Sequence, residues 1–325
     1  MAGAAPRESN ESLRPQPRIV SGGRTLGLGM PSLRVGVAEY AEGPTGCTVF
    51  AFPRGSTAAV DVRGGAHATI FTEAYHAGGM AIDALCFAGG SAYGLEAATG
   101  VSSAIFAERG WSTDWLDIAL VSGGIIFDYR PRQNALYPDK ALGAAAYRAA
   151  QAGAFPLGAR GAGVSASVGK ALPAPFEREP GGQGAACLER EGTHIAVFTV
   201  VNAVGAIVGR DGAVVRGHRE PASGVRMRAG DVLVARDAAP PPPGNTTLTL
   251  VVTDRQLRPH AQVQIARQVH ASMSRAIEPF HTLSDGDVLW AVSTNEGPPA
   301  DGEEAVLSIV ASELAWDAVL SCFDP

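Results

Sequence analysis

The sequence carries little charge and no surplus of positive charge: 18% of its 325 residues are charged, and 26 Lys+Arg face 32 Asp+Glu for a formal net charge of −6. That balance argues against a nucleic-acid footprint and against a polybasic membrane surface. The four cysteines, Cys47, Cys86, Cys187 and Cys322, include no CxxC pair, so neither a zinc ribbon nor a disulfide framework is suggested. They read as buried small hydrophobes. No apolar run is long enough for a membrane span, and the opening MAGAAPRESNESLRPQPR lacks the apolar stretch of a signal peptide. The expected location is the cytoplasm. Conventional catalytic signatures are missing as well: there is no HExxH, no Walker loop ending in Gly-Lys-Ser/Thr, and no GxSxG elbow. The turn Gly89-Gly90-Ser91-Ala92-Tyr93-Gly94 fails the dinucleotide pattern, and the seven histidines include no ligand pair at i, i+4. His281, which has no evident partner, is read as a packing residue.

What is present in quantity is apolar residue (46%) and glycine (40 residues, about 12% of the chain), against a usual glycine share of ~7%. Such a composition predicts a compact, turn-rich α/β protein. Residues 1–31 are polar and Pro/Gly-rich without periodicity, and are expected to form a flexible arm ahead of one domain over 32–325. Strand-like runs follow at LRVGVAEY, CTVFAF, AAVDVRGG and ALCFAGG, the last leading into a helix on which Leu95, Ala98, Val101 and Ile105 keep helical spacing. Further runs lie at IIFDYR, HIAVFTVV and AIVG, with Asn202-Ala203-Val204-Gly205 as a turn or bulge between the last two. The final 80 residues, 246–325, read as strand (TTLTLVVT), helix from Pro259 to before Pro279, strand (VLWAVST) and helix (EEAVLSIVASELAWDAVLSC).

The junction before that unit is unusual. Four prolines, 240–243, deliver the chain through Gly244-Asn245 to Thr246 at the start of a core strand. A self-cleaving precursor would place its nucleophile there. The Thr246 hydroxyl would attack the Asn245 carbonyl through a five-membered ring, water would open the ester, and Gly244 would permit the distorted backbone this requires. The freed α-amino group, with a reference pKa of about 7.7–8.0, is a usable base for its own hydroxyl. Asp285-Gly286-Asp287 supplies two carboxylates at i, i+2, which project to one side of an extended segment and would hold and orient Thr246. Taken singly, Thr246 is equally an ordinary strand residue and Asp-Gly-Asp an ordinary turn.

The blocks GNTT (244–247), PFHTLSDGD (279–287), YPDKALG (137–143), AGVSASVGK (162–170), GGQGAA (181–186), DGAVVRG (211–217), EGPTG (42–46) and SELAWDAVL (312–320) occur in order. Together they resemble the nylon-oligomer hydrolases (6-aminohexanoate-oligomer endohydrolases). These belong to the larger L-aminopeptidase/D-Ala-esterase/amidase family of self-processing N-terminal-nucleophile hydrolases. The resemblance runs from about Leu33 to the C-terminus. It implies a four-layer αββα sandwich of N-terminal-nucleophile-hydrolase type, autocleaved between Asn245 and Thr246 into chains 1–245 and 246–325. It further implies Thr246 as nucleophile, Asp285 and Asp287 as its orienting acids, Lys170 as a cation beside them, and Asn202 as oxyanion donor. The implied assembly is a homotetramer of cleaved heterodimers. No cofactor or metal is required, because nucleophile, base and oxyanion donors all come from the chain.

One departure stands out. The family usually has Tyr where this chain has Phe127; Tyr129, two residues on and on the same face if the segment is a strand, is the candidate replacement in substrate binding. The implied function is endo-hydrolysis of linear amides such as nylon-6 oligomers through an acyl-enzyme. An exo-acting aminopeptidase or D-amino-acid esterase/amidase of the same family, an acyltransferase, and an uncleaved scaffold remain as alternatives.

Overall fold

The computed structural model describes residues 7–130, 132–234 and 244–323. The proline run 240–243 lies outside them. Thirteen principal elements organise the chain: β1 (Arg34–Tyr40), β2 (Thr45–Ala51), β3 (Thr57–Val62), β4 (Ala84–Ala88), α1 (Glu96–Glu108), β5 (Val121–Ile125), α2 (Lys140–Arg148), β6 (Gly182–Arg190), β7 (Thr193–Asn202), β8 (Thr246–Thr253), α3 (Pro259–Ser272), β9 (Val288–Ser293) and α4 (Glu304–Ser321).

Two six-stranded sheets carry the fold. The first runs Arg18–Ile19, β1, β2, β4, β5, Thr69–Ile70; the second runs β6, β7, β8, β9, β3, Met80–Ala81. Most neighbours are antiparallel, and the exceptions are β4 with β5 and β8 with β9. The strand-helix-strand connections between those parallel pairs cover opposite outer faces, because each return of the chain to a parallel neighbour needs a crossover long enough for a helix.

Side-chain alternation along β8 shows the layering. Leu248, Leu250 and Val252 face Phe50, Leu85, Phe87 and Trp290 in the core between the sheets. Val251, one residue out of phase, meets Ile265 and Val269 of α3 and Leu307, Ala311 and Ala315 of α4. On the other side, Tyr40, Val49 and Cys86 pack against Val101 and Ile105 of α1 and Leu142 of α2. The order is therefore helices, sheet, sheet, helices, the four-layer αββα arrangement. The aromatic centre of the middle layer is Phe50, whose ring centroid lies 5.0 Å from that of Phe198 and 5.5 Å from that of Phe87.

Several sequence expectations need correction. Residues 7–31 of the supposed arm lie along the body. Arg18–Ile19 pairs with Ala38–Glu39, Thr25–Gly27 pairs with Ala154–Pro156, and Leu28 and Met30 are buried. Pairing at a sheet edge uses main-chain groups, so polar composition does not prevent it. The strand expected at IIFDYR stops at Ile125. Buried Asp128 pulls the next residues into a bend by accepting from Thr45 Oγ1 (2.7 Å), Gly90 N (2.9 Å) and Arg132 (2.6 Å). Phe127 and Tyr129 thus do not share a face of one strand, as the expected strand required. The helix from Pro259 ends at Ser272 and tightens into a turn, and Ile277–Glu278 pairs with Ala206–Ile207. Glu278 precedes Pro279, which disfavours helical backbone there.

Cys187 is half-buried, while the other three free cysteines are buried as expected. Among the described residues no helix is long and apolar enough to cross a membrane.

Candidate active site

Strand β8 begins at Thr246, which pairs in register with Asn202 at the end of β7. Both are almost fully buried. The Asn202 side chain is fixed on three sides: Oδ1 accepts from Lys170 Nζ (2.9 Å) and Ser167 N (3.0 Å), and Nδ2 donates to the Phe127 carbonyl (3.1 Å). Lys170 Nζ also donates to the Asn202 carbonyl at 2.9 Å, so it reaches the backbone of the residue opposite Thr246. Its approach depends on Gly169, whose φ is +73° and where an added Cβ would lie 2.2 Å from the His218 nitrogen. Burial holds the Lys170 pKa well below the usual lysine value, against the opposing pull of Asp285.

Because β8 and β9 are parallel neighbours, the turn leading into β9 lies beside the start of β8. Asp287 Oδ1 accepts from Thr247 N at 2.7 Å. Asp285 instead accepts from Thr282 Oγ1 (2.6 Å), Thr282 N (3.0 Å) and Val204 N (3.4 Å). Burial, and then the charge of Asp287, raises the Asp285 pKa to about 6. The two acids sit beside each other as the i, i+2 spacing suggests but take separate partners. Between them, Gly286 N donates to the Asn245 carbonyl oxygen at 3.2 Å. The Thr246 hydroxyl donates to that same oxygen rather than to either carboxylate. A side chain at 286 would intrude, since a Cβ there would stand 2.5 Å from Thr246 Oγ1.

The segment before Thr246 is shaped by Phe127. Gly244 has φ +98°, and a Cβ on it would lie 2.6 Å from the Phe127 ring. Phe127 and Tyr129 meet edge-on with ring centroids 5.7 Å apart, and Arg132 covers the Tyr129 ring at 4.4 Å. Burial pushes the Tyr129 hydroxyl pKa up to about 12. Thr246, Asp285, Asp287, Lys170, Asn202 and Phe127 therefore gather around one peptide bond, with Tyr129 packed behind Phe127.

Sequence reasoning missed two contributors. One is the Gly286 N–H, which no side-chain pattern reveals. The other is His281, read as a packing residue without partners; its N and Nδ1 both lie 3.1 Å from Asp287 Oδ2. Its six-residue separation from Asp287 across a turn was the available signal. Among the described residues, no group of three or more His, Cys, Asp or Glu is arranged to hold a metal ion.

The sequence profile of peptidase family S58 matches residues 29–323. The chain belongs to peptidase family S58. Its relatives include the 6-aminohexanoate-oligomer endohydrolase of Kocuria sp. (strain KY2), 42% identical over 92% of this chain and 86% of that protein. The 6-aminohexanoate-oligomer endohydrolase of Paenarthrobacter ureafaciens is 41% identical over 96% of this chain and 89% of its own length. Among solved structures, the L-aminopeptidase D-Ala-esterase/amidase of Ochrobactrum anthropi, a variant of the Ntn hydrolase fold, superposes with a TM-score of 0.64. It is 16% identical and is matched over 90% of this chain and 83% of its own. The S58 chain thus has the Ntn-hydrolase fold and is an amide-bond hydrolase.

Proposed function

We propose that this S58 chain is a self-processing amide hydrolase with Thr246 as its N-terminal nucleophile. The observation that carries the reading is the buried Thr246 hydroxyl lying against the Asn245 carbonyl, whose oxygen also receives Gly286 N–H. In processing, Oγ bonds to the Asn245 carbonyl carbon and the C–N bond breaks. The hydroxyl proton passes to the Thr246 nitrogen. Water then opens the ester, leaving an Asn245 carboxylate and a free Thr246 amine and hydroxyl. Gly286 N–H stabilises the charge that develops on the carbonyl oxygen, a contribution typically worth about 2.7–4 kcal/mol per donor.

In turnover, the Thr246 amine, with a reference pKa of about 7.7–8.0, takes the hydroxyl proton as Oγ attacks a substrate amide. The leaving amine is protonated, and water releases the acyl group. Lys170, made a weaker base by burial, gives up its proton more readily than an exposed lysine and keeps Asn202 aligned. One Asn202 N–H is committed to Phe127 O, and the second is assigned to the substrate oxyanion. The substrates we infer are linear amides, including 6-aminohexanoate oligomers cut internally. Support comes from the relatives named 6-aminohexanoate-oligomer endohydrolases, which are 41–42% identical over most of the chain.

Thr246→Ala tests the chemistry: it should remain one chain and lose oligomer hydrolysis by at least ~10³-fold, as expected when the attacking atom is removed. Turnover surviving in that variant contradicts the proposal. Products from a long oligomer test the mode: internal fragments early in the reaction support endo cleavage, and single units released from one end contradict it.

A further inference from the structure

Behind the acid turn lies a second polar chain that the reaction above does not use. Asp61 on β3 accepts from His270 Nδ1 of α3 at 2.9 Å. The His270 ring stands edge-on to His281, with centroids 4.3 Å apart and planes at 81°. His281 Nδ1 in turn faces Asp287 Oδ2 at 3.1 Å, and the other oxygen of Asp287 holds Thr247 N, the residue after the nucleophile. The carboxylate beside each Nδ1 makes that nitrogen the N–H donor of its pair. Among the described residues neither buried Nε2 has a hydrogen-bond partner, and His270 is fully enclosed.

We propose that His281 is a positioning residue for Asp287, backed by His270 and Asp61, and that this chain of four sets the orientation of the Thr246–Thr247 segment. The assignment rests on Thr246 being the nucleophile. His281 meets Asp287 with two donors, its main-chain N–H and its ring. Phe280 stacks on one side of its ring at 3.8 Å and His270 closes another, so the imidazole cannot turn away. The backbone of His281 is held at φ +59°, a conformation unusual for a non-glycine residue and expected where surrounding contacts overdetermine it.

The charged and titratable groups around the pair are Asp61 on β3, Arg63 just after that strand, and Asp285 and Asp287 from the acid turn. Burial opposes ionisation of Asp61, but hydrogen bonds from His270 and Arg63 win and hold its pKa below the usual value. The far end of the chain is thus a fixed negative charge that orients His270, in the manner of an acid backing a catalytic imidazole.

The test compares kcat, KM and the rate of self-cleavage among variants whose folding is verified by thermal melting. His281→Phe keeps the ring and removes the donor. It should lower kcat and the cleavage rate by about 10- to 100-fold, the scale found when a supporting hydrogen-bond partner is lost, with KM within about threefold. His281→Asn keeps a side-chain donor and tolerates positive φ, so it should recover most of that loss. His270→Phe should lower kcat less than His281→Phe, and should cost almost nothing further in the His281→Phe background, because members of one network are not additive.

Parent-like kcat in His281→Phe, equal losses for Phe and Asn, or additive losses in the double variant would each overturn the proposal. If His281→Phe does not fold, Asp61→Asn carries the test: a severalfold fall in kcat at unchanged KM supports the chain, and an unchanged kcat overturns it. Parent protein found uncleaved before Thr246 would instead remove the nucleophile reading itself, which distinguishes the two failures.

Discussion

Two polar networks flank Thr246, and they are built differently. On the β7 side, Lys170 and Asn202 are neutral or cationic, tightly hydrogen-bonded to each other and to backbone, and close against the strand partner of Thr246. On the β9 side, Asp285 and Asp287 are acidic, and each is held by donors from the loop that precedes it. The first network is rich in donors and suits the stabilisation of a developing oxyanion; the second is rich in acceptors and suits orientation of donors such as Thr247 N. Strand order puts Thr246 between them, since β8 has β7 on one side and β9 on the other. Division of labour in this site is thus a consequence of which strands neighbour β8.

The comparison breaks most sharply if the two sides prove interchangeable. Lys170→Met, which keeps an unbranched apolar stem and removes the ammonium, is expected to lower kcat/KM by roughly 10³-fold through loss of Asn202 alignment. Asp287→Ala should cost at least ~10²-fold, the lower bound for a positioned acid–base group. Steady-state kinetics on an amide oligomer checks both. Near-parental activity in either variant would reduce that network to a structural one.

A smaller effect sharpens the acidic side. Asp285 has a folded pKa near 6, above the ordinary 3.8, so the native state prefers its protonated form. Stability from this group is therefore fully present below about pH 4 and is lost as pH rises through 6. Urea midpoints across that window should fall for the parent relative to Asp285→Asn. A constant difference between the two proteins would contradict the raised pKa.

The mildest expectation concerns Phe127, whose carbonyl anchors Asn202 and whose ring lies against Gly244. Phe127→Tyr adds one oxygen to a ring that already fits, and should raise kcat/KM on an amide oligomer by up to about tenfold if the new hydroxyl reaches the substrate carbonyl. Tyr129 packs behind Phe127, so the comparison is made in the parent and in Tyr129→Phe. Silence of Phe127→Tyr in both, together with a silent Tyr129→Phe, would place oxyanion stabilisation on Asn202 and backbone donors alone.

How far the molecule could be read from its sequence follows the same physical divide. Strand β8 and the helix α4 were legible to within a residue or two, because a short β-branched apolar run and a long apolar run with an acidic start each mark their element by composition and length. Strand β6 and helix α2 were not read from periodicity. GQGAACLER carries few β-branched or aromatic residues, and KALGAAAYR spans little more than two turns. In the site, Thr246, Asp285 and Asp287 were marked by the junction and the acid spacing and Lys170 and Asn202 by the resemblance, whereas Gly286 acts through a main-chain N–H that every residue but proline possesses. His270 and Asp61 were invisible for another reason: they are 209 residues apart, and only the packing of α3 on β3 joins them.

On the proposed reading, the peptide bond before Thr246 is the chain's first substrate. Intact mass under denaturing conditions, followed by sequencing of the smaller species from its amino end, decides this. Two chains, 1–245 and 246–325, are expected, with the smaller one beginning Thr-Thr-Leu-Thr-Leu; a single species of full-length mass, or a smaller chain with any other first residue, would overturn the reading.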